Sequence, residues 1–366
     1  MSVNAIPRIE RVDVTPFIVP TASAESDGTF EWDTTTLVLV EAQAEAVRSL
    51  GYTYADTSTA VLIKDLLADV VCGRDVMDVA GAWDVMVRAV RNLGRPGIAS
   101  MAIAAVDAAL WDLKARLLGV SVVTLLGAVR REIPVYGSGG FTSYSVEELR
   151  RQLGGWVADG ISRVKMKVGR DAAQDLHRVR AAREAIGSTA ELFVDANGAY
   201  SRKQALAQAY RFAESEVTWF EEPVASDDLE GLRLLRDRGP AGMAITAGEY
   251  GYDLPYFRQM LDAGAVDILQ ADATRCGGIT GFVRVAALCE AAGIPLSAHT
   301  APSLHAHVCC ALAPVIHVEY FFDHARVEDM LFDGVLTPRG GALEPDRSRP
   351  GFGLELKRAE AARYAA

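Results

Sequence analysis

The sequence predicts an α/β protein, a (β/α)-type barrel carrying a smaller α+β cap. Three observations lead there. From residue 131, short apolar runs alternate with longer amphipathic ones at intervals of 20 to 30 residues, the pattern of a parallel sheet closed into a barrel. The first 130 residues follow another order, with strand-like runs first and helical ones after. Charged residues inside the later strand-like runs gather at their C-terminal ends, which in a (β/α)₈ barrel converge on one mouth.

In the cap region, residues 8–19 and 36–42 read as strands and residues 59–72, 75–92 and 100–118 as helices. The polar segment TASAESDGTFEWD between the two strands reads as a long loop, and long loops in compact domains are often functional. In the barrel region the strands are 133–138, 163–168, 191–196, 217–222, 243–249, 266–272, 294–300 and 315–320. Helical segments at 146–159, 171–186, 202–214, 255–263 and 279–292 fit between them. After residue 325 the chain is rich in Gly and Pro, and GFGLEL (351–356) reads as one further strand. The expected division is a cap over 1–130, a barrel over 131–325 and a terminal segment over 326–366.

Composition excludes several classes of function. At 366 residues with 50% hydrophobic residues, the chain can bury a sizeable core. A formal net charge of −11 disfavours nucleic acid and anionic membrane surfaces as partners. The five cysteines (72, 276, 289, 309 and 310) are odd in number and form no CxxC pair, so a reducing, cytoplasmic compartment is expected. Neither a signal-peptide core nor an 18-residue apolar run is visible, so no membrane span is expected.

Barrel strands are buried on both faces, so a charge inside one is costly unless it is paired or binds metal. Asp195, Glu221 and Glu249 end three adjacent strands. Three hard oxygen donors suit Mg²⁺, whereas zinc would call for His or Cys. Lys165 and Lys167, two apart on one strand, face the same way, and beside a cation each should have a depressed pKa. Asp272 and His299, on neighbouring strands, form a carboxylate–imidazole unit for acid–base work. Each feature alone has a plainer reading: a helix-capping carboxylate, a solvated lysine face, a structural histidine. It is their conjunction over consecutive strands that points to a site. Glu222 is expected to support that site from behind. His305, His307, His317 and His324 are set aside because they do not end strands, and Cys276 reads as a small buried residue.

These residues resemble the enolase superfamily, and within it the mandelate racemase subgroup. The matching pieces are SMAIAAVDAALWDLKARLLG (100–119), Lys165-x-Lys167, VDANGAY (194–200), WFEEP (219–223), AGE (247–249), QADATRCGGIT (270–280), the Ala-His of SAHT (297–300) and VEY (318–320). The Asp272–His299 pair separates this subgroup from the muconate-lactonizing one, and LLGA at 125–128 replaces the usual LLGG. The resemblance implies a modified (β/α)₇β barrel under an α+β cap completed by the C-terminal tail. It implies Mg²⁺, with Mn²⁺ as a substitute, on Asp195, Glu221 and Glu249, and an enediolate formed from a carboxylate substrate. Lys167 would be one base with Lys165 beside it, and His299 oriented by Asp272 would serve the other face. Glu319 would donate a hydrogen bond to the substrate carboxylate, and Asn197 would reach it too.

The cap segments 20–32 (with Ser23, Glu25, Asp27 and Trp32) and 51–57 (with Tyr54) would read the distal substrate. Their polarity suits a polyhydroxylated acid better than an aromatic one. The implied activity is acid-sugar dehydration, with a racemase or epimerase of 2-hydroxy acids as alternative and a non-catalytic sugar-acid binder as remote third. A homo-oligomer, dimer to octamer, is implied as well.

Overall fold

The structure, a computed structural model, describes residues 7–366. Three antiparallel strands open it: β1 (Arg11–Ser26), β2 (Glu31–Ala44) and β3 (Val47–Tyr54), in the order β1-β2-β3. The segment 20–32, expected to be a loop, is mostly the far end of the β1–β2 hairpin, with a register shift between Pro20 and Glu25. Its small polar residues misled the reading because Thr21–Ala24 bulge out of the ladder at that shift, with Ala22, Ser23 and Ala24 in solvent, before pairing resumes at Glu25. The segment 51–57 is likewise strand as far as Tyr54.

Helices follow: α1 (Ser58–Leu62), a π turn (Ile63–Leu67), α2 (Ala68–Val71), α3 (Val79–Ala89), α4 (Ile98–Leu117) and the short α5 (Val122–Leu126). The expected helix 59–72 is therefore one run with a π turn inside it. The strands lie on α4, whose alanines permit a close approach. A Cβ on Gly51 of β3 would stand 2.3 Å from the Ala109 amide nitrogen and 2.4 Å from the Ala105 carbonyl oxygen.

The barrel alternates strands and helices: β4 (Ile133–Gly139), α6 (Val146–Ala158), β5 (Arg163–Lys167), α7 (Asp175–Ile186), β6 (Glu191–Asp195), α8 (Arg202–Ala213), β7 (Val217–Glu221), α9 (Leu229–Arg238), β8 (Ala244–Ala247), α10 (Leu254–Asp262), β9 (Ile268–Ala271), α11 (Gly278–Ala292), β10 (Leu296–Ala298), α12 (Pro302–Cys309) and β11 (Val315–Phe321). Neighbouring strands are parallel, and β11 pairs back onto β4 to close the barrel. Tyr136, Phe193 and Trp219 pack together inside it, with Ile268 against them. The interior is thus a filled core, and polar groups are left to the strand ends.

After β11 the chain forms α13 (Phe322–Leu331), β12 (Phe332–Asp333), β13 (Ala342–Leu343), β14 (Glu355–Leu356) and α14 (Arg358–Ala361). Of the expected strand 351–356, Glu355 and Leu356 pair with β12, and Gly351 forms a single bridge to Ser121. Gly351 and Gly353 both adopt φ of +72°, which breaks the extended run. The tail returns to the cap region. The buried Asp112 carboxylate of α4 accepts hydrogen bonds from the Leu50 and Phe352 amides and from Arg116, and Arg116 also pairs with Glu355. Arg358 pairs with Glu41.

Asp112 therefore ties β3, α4 and the tail through one buried carboxylate. Replacing it by Ala strands two buried amides and a guanidinium, and should cost about 3 kcal/mol of stability. Denaturant unfolding of Asp112→Ala measures this. A change below about 0.5 kcal/mol, the size of a surface substitution, would refute the assignment.

Candidate active site

The strand register brings the expected residues together. Lys167 on β5 is paired with Asp195 on β6, and Asp195 with Glu221 on β7. Gly248, directly after β8, has φ of +136°, and a Cβ there would fall 2.0 Å from the Gln270 carbonyl oxygen. Only glycine permits this close turn, and Glu249 follows it into the mouth. Asn197, Glu222, Thr300 and Ala301, all just past barrel strands, also have positive φ. Such strain clusters where a site is held by its surroundings.

Asp195, Glu221 and Glu249 are buried, and each offers a carboxylate oxygen within 4.8 Å of the others. Burial and the neighbouring Asp195 raise Glu221 to about 8. Glu222 Oε1 is buried without a hydrogen-bond partner, and Glu249 Oε2 has only the His299 imidazole, at 3.2 Å, beside it. Three like charges this close, only partly offset by neighbouring cations, are what a divalent cation satisfies, so this trio fits Mg²⁺. Glu222 lies behind the trio, and burial together with Glu249 raises its pKa well above the usual carboxylate range.

Lys165 Nζ sits 2.7 Å from both oxygens of Glu221, 2.8 Å from Glu319 and 3.6 Å from Asp195. Lys167 Nζ lies 2.5 Å from Asp195. The depressed lysine pKa values are expected beside a cation; among the side chains alone the direction is the opposite. Burial lowers both, but it is outweighed by Glu221 and Glu319 at Lys165 and by Asp195 at Lys167, so both are raised. In the carboxylate field alone the two lysines serve as counter-charges.

His299 Nδ1 is 2.8 Å from Asp272 Oδ2, as the sequence suggested. Its Nε2 is 3.2 Å from Glu249 and 3.7 Å from Glu319. Burial lowers the imidazole pKa, but Glu249, Glu319 and Asp272 outweigh this and lift it to about 9. Among these groups Glu319 is held ionised at about 2. Burial would raise it, but Lys165 and His299 prevail. It is therefore an acceptor here, taking the Thr300 amide at 3.1 Å.

These groups meet at a cavity of about 190 Å³ lined by Lys167, Glu249, His299, Glu319, Asn197 and Trp32, among others. That is smaller than the ~300–1,000 Å³ of pockets for drug-sized molecules, and suits a small ligand. Lys165 lies beneath the lining. Tyr54, expected to read substrate, does not reach the cavity. It sits behind His324, stacked on that ring at 3.4 Å between centroids, because β3 is a buried strand rather than a loop. Ser23 is exposed, and Glu25 lies behind Trp32, accepting its indole N–H at 3.0 Å.

Thr35, Tyr250 and Arg275 line the cavity without having been singled out, and so does His324, which the sequence reading sets aside because it does not end a strand. Arg275 stands in the quoted TRCGG motif, 3.7 Å from Asp272 and 3.8 Å from Glu249, so the motif itself was the available signal. His305 and His317 are structural, bonded to Ala273 and Thr300 and to Ser297 respectively.

Fold and site together define an enolase-type enzyme that works on a carboxylate beside a divalent metal. Residues 14–127 match the N-terminal domain of mandelate racemase/muconate lactonizing enzyme, and residues 148–361 match an enolase C-terminal domain-like model. The chain belongs to the mandelate racemase/muconate lactonizing enzyme family of the enolase superfamily. It is 32% identical to a 3,6-anhydro-α-L-galactonate cycloisomerase of Streptomyces coelicolor, over 95% of this chain and 97% of that protein. A mandelate racemase/muconate lactonizing enzyme-like protein from Rubrobacter xylanophilus superposes with a TM-score of 0.97 at 58% identity, covering 98% of this chain and 100% of that one. L-talarate/galactarate dehydratase of Salmonella typhimurium LT2, liganded with Mg and L-lyxarohydroxamate, gives a TM-score of 0.90 at 28% identity, covering 100% and 95%.

If the trio holds the metal, Mg²⁺ titrated calorimetrically into the apo-protein should bind at one site per chain. Glu221→Gln should weaken that binding at least about tenfold, by analogy with the loss seen even for outer-shell partners. Unchanged affinity in Glu221→Gln would refute the trio as the metal site.

Proposed function

We propose that this enzyme removes the α-proton of an acid-sugar carboxylate and eliminates the oxygen substituent on the next carbon, giving a 2-keto-3-deoxy acid. One observation carries the reading. Lys167 and His299 line a single cavity from different walls, with β6–β8 between β5 and the two strands of the Asp272–His299 pair on one side and β4 and β11 on the other. A bound α-carbon then has a proton-handling group on each face.

In this reading Lys167 takes the α-proton as the C–H bond breaks, and the electron pair moves toward the carboxylate. The C3–O bond then breaks as His299, aligned by Asp272, gives its proton to the departing oxygen. Water leaves, and the resulting enol becomes the ketone. When bound, Mg²⁺ supplies Lewis-acid stabilisation of charge on the substrate carboxylate, drawing on the oxygens that now hold the two lysines protonated. Asn197, whose Oδ1 is buried without a partner, would orient the substrate. A substrate carboxylate placed beside Glu319 would raise its pKa and let it donate the expected hydrogen bond.

A ring oxygen on the next carbon could be the leaving group in the same step, which would make a 3,6-anhydro acid, the substrate class named for the Streptomyces relative, a candidate as well. Racemisation or epimerisation of a 2-hydroxy acid remains a second reading, because two facing acid–base groups need no leaving group. A non-catalytic binder has no support, since none of the positions of the constellation is degraded. The reading includes a division into cap (1–130), barrel (131–325) and returning tail (326–366), assembly as a homo-oligomer, and a cytoplasmic location. Among the described residues, no helix is long and apolar enough to cross a membrane.

Incubating mono- and diacid sugars and an anhydro acid with Mg²⁺ while following 2-keto acid tests the reaction class. α-Proton exchange without keto acid would favour the racemase. His299→Asn should lower elimination by ~10²–10⁴-fold, the usual worth of a general acid, while exchange with deuterated solvent continues through Lys167. A His299→Asn enzyme that eliminates at the wild-type rate would remove the dyad from the mechanism.

A further inference from the structure

Most polar groups at the cavity are committed to one another: Lys167 to Asp195, His299 to Asp272 and Thr35 to Asp323. His324 is not. It lies on the first turn of α13, and its ring lines the cavity. The Tyr54 ring stacks against it at 3.4 Å and 11°, and Phe321 meets it edge-on at 5.0 Å. Tyr54 Oη also donates to the His324 carbonyl at 3.3 Å, so backbone and ring are both fixed. His324 is 8% exposed, and its Nδ1 is buried with no hydrogen-bond partner.

The nearby charges acting on the ring are His299, Asp272, Arg275 and Glu319. Burial, and then His299, hold its pKa well below the ordinary imidazole value. A neutral imidazole offers one donor and one acceptor. A hydroxyl, itself donor and acceptor, can use both kinds of group. A carboxylate can only accept, and an aryl ring can do neither.

We propose that His324 is a specificity-determining residue that binds a chain hydroxyl of the substrate on the His299 side of the cavity. This rests on the acid-sugar reading above and narrows it. The preferred substrate carries a hydroxyl at that position, and the enzyme discriminates against the deoxy analogue. A site built to hydrogen-bond a hydroxyl rejects the analogue lacking it, because its own buried polar group is left unpaired.

The test uses the Mg²⁺-loaded enzyme and a panel of aldonates and aldarates, each paired with analogues deoxygenated at one carbon. Wild type should prefer one hydroxylated member over its deoxy analogue. His324→Phe should lower kcat/KM on that member by about 10–100-fold, the usual effect of unpairing a buried polar group. It should leave the deoxy analogue nearly unchanged, so the discrimination collapses. His324→Asn, which keeps a donor and an acceptor, should restore part of it, and carries the test if the Phe variant does not fold. Exchange of the α-proton with deuterated solvent should persist in both variants. Equal loss across the whole panel, or no loss, would overturn the inference while leaving the acid-sugar reading intact. A wild type inert toward every acid sugar would sink that reading and this inference with it.

Discussion

Three carboxylates buried side by side at the mouth of the barrel set the conditions for the rest of the site. Asp195, Glu221 and Glu249 cannot all be ionised in a dry interior without positive charge among them. Lys165, clamped between Glu221 and Glu319, and Lys167, on Asp195, supply part of it. The register of β5, β6 and β7 makes these pairs unavoidable, since the residues are lateral neighbours at strand ends. A divalent cation supplies the rest, and in doing so competes with the lysines for the same oxygens. In the proposed reading, counter-charge and base would be one side chain in two electrostatic settings, with the metal deciding between them.

The same logic reaches His299. Its raised pKa draws on Glu249 and Glu319 as well as on Asp272. Glu249 belongs to the carboxylate trio, so the acid strength of the imidazole is linked to the charge at the metal position. Asp272 is the partner whose role does not change, because its carboxylate is held by the Thr274 amide at 2.6 Å and by the ring Nδ1. The dyad therefore keeps its orientation whatever its protonation.

Sequence made the chemical half of the site legible and left the selective half obscure. Barrel strands repeat with a fixed direction, so a charge at a strand's C-terminal end must lie at the mouth. Asp195, Glu221, Glu249, Asp272, His299 and Glu319 followed from that rule. The strength of the lysine–carboxylate pairing did not, because it depends on distances among buried charges rather than on spacing. The cap misled more. TASAES lacks the β-branched alternation of a strand, and only its end, Glu25 and Ser26, re-enters the ladder, opposite Trp32 and Glu31. Tyr54 looked like a loop aromatic because GYTYADT is polar. Read as a strand, its alternation sets Tyr52 and Tyr54 on one face, where they meet at 5.9 Å in the interior. His324 was passed over because it belongs to a helix after the last strand, where the strand-end rule says nothing.

What the cap contributes follows from how its hairpin is anchored. Trp32 enters the cavity from β2, and its indole N–H is held by Glu25 of β1. Burial and the nearby Asp323 raise the Glu25 carboxyl to about 8, so this support is a largely neutral group at neutral pH. Asp323 in turn accepts from Thr35 of β2 and from Arg326, and Arg326 donates to the Pro20 carbonyl of β1. Asp323 and Arg326 lie on α13, as does His324. The hairpin end and α13 are therefore tied to each other, through contacts separate from the Lys167–Asp195 and His299–Asp272 pairs. A substitution in that tie can move Trp32 and His324 relative to the cavity while the proton-handling groups stay in place. In a barrel of this kind, substrate choice can change along one wall without dismantling the charge arrangement at the strand ends.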